Sequence, residues 1–453
     1  MKHVQMLILS LSLIMSFTFA QIPSNIFVTN AEADLILKGN YDPANYSATQ
    51  VIDDLDQIVC EVMSNISTDS LHSYLIKLGT FYNRNSGSDT LSTTTGIGAA
   101  RRWAYNKFRG FSAASEDRLI TSYLQFDQVI CGMSQHRNIF TILPGSDTLD
   151  KSVLILEAHI DSRCEDGCDI TCQAHGIEDN ASGSALVLEL ARVMSQFTFK
   201  HSIVFMLTIA EEQGLYGANA FSQYCVDNNI LINAVQNNDV IGGITCGNTS
   251  SPPSCPSENH IDSTHVRIFS ATGASRGYAQ YVKHLFEQKL QPIMDVWMDI
   301  EIMNQEDRTG RGGDHIPFRQ DGYTAIRFCS ANEHGDAGVS DPNYTDRQHT
   351  TSDILGIDTD LDGEIDSFFV DFNYLKRNAV INAFGATMIA LMPPAPDFQG
   401  TTSTSDFSVE ITSQTQHPKY TVAVRLSSNN DVNNDTTYSF TGSLTYSVPN
   451  ISS

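Results

Sequence analysis

The chain has 453 residues, which is enough for more than one domain. Its 52 acidic and 27 basic residues give a formal net charge of −25, which argues against nucleic acid as a partner and is typical of a highly soluble protein. No stretch after the first residues approaches the length of a membrane span, so we expect no membrane-spanning segment.

The first residues have the features of a secretory signal peptide. The segment MKHVQMLILSLSLIMSFTFAQ has a basic start, a short apolar core and small residues before a cleavage site after Ala20. We therefore expect residues 1–20 to be removed and the protein to be secreted into an extracellular or periplasmic space. Residues 21–65 are polar and mixed, and we interpret them as an N-terminal extension or a propeptide.

Continuous apolar runs precede two of the polar clusters that follow. SVLILEA before His159 and SIVFMLTIA before Glu211 predict strands that are covered on both faces. Open α/β sheets place their sites at the carboxyl ends of strands, where both residues would lie. A helix is predicted to begin at Asp179. Its apolar residues at helical spacing are Leu186, Leu190, Val193 and Phe197.

Five separated clusters hold a complete set of ligands for two zinc ions, with a base beside them. They are AHIDS with His159 and Asp161, DNASG with Asp179, AEEQGLYG with Glu211 and Glu212, NNDVIG with Asp239, and RQHTTSD with His349. Two zinc ions about 3.5–4 Å apart require a bridging carboxylate, further imidazole and carboxylate ligands, and a shared water whose pKa the metals lower. A neighbouring carboxylate then accepts the proton of that water. The joint pattern predicts a co-catalytic zinc hydrolase.

The order and local context of these clusters resemble the secreted di-zinc aminopeptidases of peptidase family M28. The resemblance spans roughly residues 70–395, because YNRNSGSDTLSTTTGIGAARRW also looks like the opening segment of that family. It implies that His159 of the HxD pattern is a metal ligand and that Asp161 orients its ring. It also implies that Asp179, the aspartate of DNxSG, bridges the two ions.

The later clusters complete the ligand set that the resemblance implies. The first glutamate of the EE pair, Glu211, is the general base. The second, Glu212, completes one zinc site with His349 of the HTxxD pattern. Asp239 of the NxDxIG pattern completes the other site with His159. The chain departs from the family where AHGIEDN replaces PGADDN and where a cysteine-rich insertion follows HID, so we expect the rim of the site to differ.

The resemblance also implies a fold and a reaction. It predicts an α/β catalytic domain over residues 66–395, with a mixed, largely parallel central sheet and helices on both faces. The implied reaction is zinc-dependent removal of the first residue from peptides with a free N-terminus. The segment GGDHIPF resembles both these aminopeptidases and the related glutaminyl cyclases, so cyclase activity stays open, as does carboxypeptidase activity. We assign Asp314, His315 and Asp353 to substrate contact or to support of the ligands, with a helix cap as the alternative for Asp314 and His315.

A serine hydrolase is the strongest competing chemistry. GASRG, with Ser275 at its centre, matches the nucleophile-elbow pattern, and it lies between a predicted strand and a predicted helix. However, a chain with 29 glycines meets this pattern easily by chance, Ser275 is also a good helix-start residue, and no HGGG-type oxyanion segment is present. A non-catalytic protein of the same fold is expected to have lost a ligand or the base, and this chain has lost none.

Nine cysteines in an exported chain favour disulfides, and the odd count leaves at least one cysteine unpaired or intermolecular. We predict that Cys246 pairs with Cys255 across a Ser/Pro-rich loop and that Cys60 pairs with Cys131. The connectivity of the remaining close group stays open; its members are Cys164, Cys168 and Cys172. Disulfides or free thiols are favoured over metal binding there, because no fourth ligand stands at finger-like spacing.

Two features are predicted near the C-terminus. DTDLDGEID resembles the first part of a calcium loop, although Phe369 stands where a bidentate Glu is expected, and an acidic solvated turn is the alternative. The proposed calcium ligands are Asp358, Asp360, Asp362 and Asp366. After a linker at PPAPDFQ, residues 396–453 alternate and are rich in Ser and Thr, which predicts a small accessory β segment.

Overall fold

The computed structural model describes residues 23–392 and the shorter segments 398–402, 406–412, 419–424, 436–441 and 445–449. The predicted signal peptide, residues 1–20, lies outside the described residues. Within the described part of the chain, no helix is both long and apolar enough to cross a membrane.

The main body contains nine α-helices and thirteen strands among the described residues. The α-helices are α1 Ala31–Leu37, α2 Leu55–Asn65, α3 Thr68–Gly79, α4 Gly96–Ala114, α5 Ser182–Met194, α6 Tyr216–Asp227, α7 Ala274–Leu285, α8 His315–Gln320 and α9 Phe372–Leu391. The strands up to α9 are β1 Ser24–Val28, β2 Ile120–Ile130, β3 Met133–Leu143, β4 Val153–His159, β5 Ser202–Thr208, β6 Ile232–Asn238, β7 Gly247–Asn248, β8 His265–Phe269, β9 Asp299–Met303, β10 Ala325–Ser330, β11 Glu333–His334, β12 Gly356–Ile357 and β13 Ser367–Phe368.

A nine-stranded mixed sheet forms the centre of the described residues, in the order β1-β2-β3-β5-β4-β6-β10-β8-β9. Strands β5, β4, β6 and β10 run parallel, whereas β3 and β8 run antiparallel to their neighbours β5 and β10. Every residue of β4 and of β5 is buried, because both strands are continuous apolar runs with helices on both faces. The predicted fold class is confirmed.

The helix after the DNASG cluster begins later than predicted. Asp179 has φ −111° and ψ 93°, which is not helical, and α5 starts at Ser182. Phe197 lies beyond the end of the helix at Met194, although its ring is buried in the core. The prediction of a helix beginning at Asp179 was therefore wrong, because this residue belongs to the irregular turn that carries its carboxylate into the site.

The N-terminal segment packs into the same core as the rest of the main body. Strand β1 pairs antiparallel with β2, with Val28 opposite Leu124. Helices α1 and α2 bury Ile36 and Ile58 against the main hydrophobic cluster. The interpretation of residues 21–65 as an extension or a propeptide stays a prediction.

Disulfides join Cys131 to Cys168, Cys164 to Cys172 and Cys246 to Cys255. The last pair confirms one prediction, but the pairing of Cys60 with Cys131 was wrong. Cys131 lies in the turn between β2 and β3, next to the insertion, whereas Cys60 is a free, exposed cysteine on α2. Spacing along the chain did not reveal this contact, because it depends on how the insertion folds back onto the sheet.

The predicted C-terminal strands are present where the structure describes this region. They are β14 Phe398–Thr402, β15 Asp406–Ile411, β16 Lys419–Val424, β17 Thr436–Thr441 and β18 Thr445–Pro449. Strands β14, β15 and β18 form one small antiparallel sheet, and β16 pairs with β17. The alternation of apolar and polar residues explains these strands, with Val409 and Ile411 buried on one face of β15. The boundary at residue 396 stays a prediction.

Candidate metal centre

The carboxyl ends of three adjacent parallel strands bring the zinc-ligand candidates together. His159 is the last residue of β4, Glu211 and Glu212 lie in the turn after β5, and Asp239 directly follows β6. Asp179 reaches the same edge from the turn before α5. The parallel order β5-β4-β6 therefore places residues from distant parts of the sequence at one site.

His349 comes to the site from a loop without regular structure. Its backbone adopts φ 61°, a conformation that L-residues rarely adopt. Its Nε2 lies 3.1 Å from Asp179 Oδ2 and 3.2 Å from Glu212 Oε2. The unusual backbone geometry thus turns the imidazole toward the two carboxylates.

Asp179 lies between two groups of side chains that could bind metal ions. Its Oδ1 is 3.1 Å from His159 Nε2, which is in turn 3.4 Å from Asp239 Oδ1. Its Oδ2 faces His349. Candidate ligand atoms lie within 4.8 Å of one another in each of two groups that share Asp179, one completed by His159 and Asp239 and the other by Glu212 and His349.

The donor set fits zinc. Imidazole nitrogens and carboxylate oxygens are ordinary zinc ligands. Three buried atoms of the candidate ligands make no hydrogen bond to any described residue, although His159 Nε2 lies near the Asp179 and Asp239 carboxylates. They are His159 Nε2, Glu212 Oε1 and Asp239 Oδ1. Burial alone would raise the pKa of Asp179, but its imidazole partners hold it well below its usual range. Buried polar atoms without partners are costly, so this arrangement favours bound cations.

Asp161 supports both sides of the centre. It is fully buried, and its Oδ1 lies 3.5 Å from His159 Nδ1. Its two carboxylate oxygens accept the backbone N–H groups of Glu211 and Glu212, each at 3.4 Å. The hydrogen bond of His159 Nδ1 is to the Asp161 backbone O, at 3.2 Å. Asp161 therefore contacts the imidazole through its carbonyl as well as its carboxylate, and its carboxylate holds the turn that carries the acidic pair.

Asp353 and Arg84 hold the turn that contains Asp179. The Asp353 carboxylate accepts the backbone N–H groups of Glu178 at 2.8 Å and Asp179 at 3.0 Å. The buried Arg84 donates to Ile160 O at 2.8 Å and to Gly176 O at 2.9 Å, which joins this turn to the end of β4. The sequence analysis assigned Asp353 either to substrate contact or to support of the ligands. It missed Arg84, although this residue lies in the YNRNSG segment that carried part of the resemblance.

A pocket of about 360 Å³ opens beside the centre. Glu211 lines it next to Glu212, and burial raises the pKa of the Glu211 carboxyl well above its usual range. The pocket is also lined by arginines that the sequence analysis did not identify. They are Arg163, Arg308 and Arg311. No motif marks them, because each depends on how a long loop folds back over the site.

Asp314 and His315 lie behind the centre and do not line the pocket. Both are fully buried. Asp314 precedes α8 without capping it and accepts a hydrogen bond from Thr208 Oγ1 at the end of β5. His315 Nε2 contacts Glu306 O at 2.8 Å. The geometry gives both residues a supporting position and offers no support for substrate contact or for a helix cap.

Ser275 lies at the opposite edge of the sheet. Strand β8 runs antiparallel to β10, so the turn after β8 is far from the ends of β4, β5 and β6. The Ser275 hydroxyl accepts the backbone N–H of Ala325 at 3.1 Å and makes no hydrogen bond to a histidine among the described residues. This geometry is that of a structural serine at the start of α7.

The proposed calcium loop is compact, but it gathers only part of its predicted ligands. Carboxylate oxygens of Asp358, Asp360 and Asp366 lie within 4.8 Å of one another. Asp362 is not in this group, and its Oδ1 accepts the backbone N–H of Glu364 at 2.9 Å. Asp358 also accepts backbone N–H groups of its own turn, such as that of Gly363 at 2.8 Å. The loop therefore fits two interpretations, a calcium site and an acidic solvated turn.

The fold and the clustered ligands define a metal-dependent hydrolase. A family model described as peptidase family M28 matches residues 138–372, just over half of the chain, so this protein belongs to peptidase family M28. It is a zinc-dependent peptidase.

Comparison with known proteins agrees with this membership. A probable zinc metalloprotease of Pyrenophora tritici-repentis is 29% identical over 375 residues, which is 78% of this chain and 81% of that protein. A probable zinc metalloprotease of Phaeosphaeria nodorum is 28% identical over 78% of this chain and 74% of its own length. The crystal structure of the Legionella pneumophila LapA aminopeptidase is similar in fold, with a TM-score of 0.53, 18% identity, and coverage of 77% of this chain and 78% of that one.

Proposed function

We propose that this protein is a secreted two-zinc aminopeptidase that removes the N-terminal residue from peptides. The observation that carries the proposal is the position of Asp179, whose two carboxylate oxygens face separate groups of ligands while Glu211 lines the adjoining pocket. A shared carboxylate with a second acid beside it is the arrangement that two-metal hydrolysis requires.

The chain's own residues supply distinct parts of this chemistry. Asp179 would bridge two zinc ions, with His159 and Asp239 on one and Glu212 and His349 on the other. When bound, the zinc ions lower the pKa of water and polarise the scissile carbonyl. Asp161 keeps the His159 imidazole oriented from its Nδ1 side.

Glu211 moves the proton in the proposed reaction. Its carboxylate accepts a proton from the attacking water and then delivers it to the departing amine, as general base and then general acid. Asp161 holds the Glu211 backbone N–H and so fixes where this carboxylate stands. The pocket beside it gives the substrate access.

Secretion is part of the proposal. It rests on the signal-peptide pattern before Ala20 and on the three disulfides, which persist in oxidising compartments.

The proposal is tested by the end of the peptide that the enzyme requires. An unmodified peptide with an uncharged first residue is expected to lose that residue, because the proposed reaction acts at a free N-terminus. Its N-acetylated version should not be cleaved, since acetylation removes the free amine. Amidation of the C-terminus should make little difference in a peptide too long for its C-terminus to reach the pocket. Mass spectrometry of the products measures all three results.

Each other product pattern identifies a different activity on this fold. Loss of C-terminal residues would indicate a carboxypeptidase. Loss of ammonia from an N-terminal glutamine without cleavage would indicate a glutaminyl cyclase. Either result would contradict the aminopeptidase proposal.

We also propose a structural calcium ion at the loop that contains Asp358, Asp360 and Asp366. Calcium should raise the melting temperature of calcium-free protein, because a ligand at 100 times its Kd stabilises the native state by about 2.7 kcal/mol. Asp360→Asn should abolish the shift. Asp362→Asn is the matched control and should keep it, since the Asp362 carboxylate lies outside the group. An unchanged melting temperature, or an equal shift in Asp360→Asn, would contradict the proposed calcium site.

A further inference from the structure

The pocket is lined by charged side chains of both signs. The acidic lining residues all belong to the proposed zinc and base set: Asp179, Glu211, Glu212 and Asp239. The basic ones include three arginines, Arg163, Arg308 and Arg311, which we call the arginine group. Among the described lining residues, only Leu215 offers an aliphatic side chain. The lining therefore offers little contact for an apolar side chain, and the arginine group offers donors for an anion.

The cysteine-rich insertion fixes Arg163 in place. Residues 163–173 form a rim loop that is closed by the Cys164–Cys172 disulfide and attached to the β2–β3 turn through Cys168. Gln213, in the acidic turn after β5, donates to Gly167 O at 3.1 Å and ties the loop to the centre. Arg163 thus reaches the pocket from a constrained backbone.

Arg163 has no acidic partner to neutralise it. Its Nε donates to Cys164 O and its Nη2 to Glu165 O, each at 3.1 Å, so both acceptors are backbone carbonyls. It forms no ion pair with any residue in the described part of the chain. Because a guanidinium has five N–H donors in a planar fork, donors remain for a ligand.

The positive charge of Arg311 is only weakly neutralised by nearby acids. It lies 3.9 Å from Glu333, and this carboxylate is already paired with Arg267 and, at 3.3 Å, with Arg308. Burial would raise the pKa of Glu333, but these arginines hold it well below its usual range, so one negative charge is shared by three cations. Arg311 Nη2 contacts two side chains that are not acids, Gln348 Oε1 at 2.7 Å and Nε2 of the candidate zinc ligand His349 at 3.3 Å. Its side chain is 15% exposed, and the residue lines the pocket.

We propose that Arg163 and Arg311 bind a carboxylate of the substrate and make this enzyme selective for peptides that present one near the cleaved bond. This inference deepens the proposed peptidase function and rests on it. Arginine pairs with carboxylates through charged, often bidentate hydrogen bonds, which are among the stronger polar contacts in proteins. Arg308 is the less suitable partner because Asp307 and Glu333 already engage it. The carboxylate is either an acidic side chain or the C-terminal α-carboxylate of a short peptide.

Three matched peptide pairs distinguish these sources. The first pair has glutamate or glutamine as the first residue of an amidated tripeptide, and the second pair has them at the second residue. The third pair is dialanine with a free or an amidated C-terminus. Dissociation constants are measured by calorimetry with the zinc-loaded Glu211→Gln protein, so that binding is read without turnover.

In at least one pair, the peptide with the additional carboxylate should bind roughly 10- to 100-fold more tightly than its matched amide. This is the range for hydrogen bonds to a charged group. This ratio should fall toward one when Arg163→Gln or Arg311→Gln is added. Arg163→Lys should keep part of it, because the positive charge remains. Arg109→Gln is the matched control: it removes the same charge from an exposed position on α4, outside the pocket, and should leave the ratio unchanged.

Ratios within about twofold of one for all three pairs would overturn the proposal, as would a ratio that survives in both arginine variants or falls equally in Arg109→Gln. The ratio is taken within one preparation, so partial misfolding of a variant cancels. Cleavage by the wild-type enzyme is scored separately. A protein that cleaves none of the peptides yet keeps the binding ratio would contradict the aminopeptidase function and would still support the carboxylate site.

Discussion

Glu211→Gln should keep its zinc and lose most of its turnover. The glutamine amide has almost the shape of the carboxylate but cannot accept a proton from water. General acid–base groups contribute about 10²–10⁴-fold, and Glu211 is proposed to act in two successive steps, so we expect a loss at or above the upper end of that range. Turnover of an N-terminal substrate and zinc content by elemental analysis measure the two properties.

The neighbouring residue provides the control for this result. Glu212→Gln should lose zinc together with activity, because Glu212 lies 3.2 Å from His349 in one ligand group. Ser275→Ala should retain turnover, since its hydroxyl serves the backbone at the other edge of the sheet. Near-normal activity in Glu211→Gln would refute its role as the base. A zinc-loaded but inactive Ser275→Ala protein would instead support the serine hydrolase hypothesis.

The part of the site that follows buried strands could be predicted from the sequence. His159 and Glu211 each come after a continuous apolar run, and such runs form parallel strands whose carboxyl ends share one edge. The fold class was predictable for the same reason. The order of the strands in the sheet brings these residues together. The sequence alone does not give that order, and the resemblance to the family supplied the expectation instead.

Loop contacts could not be predicted in this way. Cys131 pairs with Cys168 rather than Cys60, because the insertion folds back onto the β2–β3 turn. The same insertion carries Arg163 into the pocket. Neither outcome leaves a periodic pattern, since both depend on the path of an irregular loop. Binding residues often lie on such loops, so substrate preference is the property that the sequence revealed least.

The irregular turn at Asp179 illustrates a related limit. The helical spacing of Leu186 and Leu190 predicted the helix but not its first residue, because periodicity marks the buried face and not the ends. Asp353 and Arg84 hold the turn open through contacts to its backbone. The departure from helical geometry lets the Asp179 carboxylate face two histidines at once.

Asp179→Ala should remove zinc from both sites. Wild-type protein is expected to contain about two zinc ions per chain, and the variant less than one, because each ligand group loses the carboxylate that they share. Turnover should fall by more than about 10³-fold, since water without a metal keeps a pKa near 15.7 rather than about 7. Zinc per chain is measured by elemental analysis after dialysis against metal-free buffer.

A matched aspartate separates this effect from a general loss of acidic charge. Asp362→Ala changes a carboxylate in the acidic loop that contains Asp358 and Asp366, outside the proposed calcium group and both zinc groups, and should keep both zinc ions. If Asp179→Ala instead retained one firmly bound zinc ion, the two groups would be independent and the carboxylate would not bridge them. A wild-type protein with a consistent stoichiometry of one would have the same implication and would favour the cyclase alternative. The shared position of Asp179, with an oxygen 3.1 Å from a histidine on each side, is why we expect the two sites to be lost together.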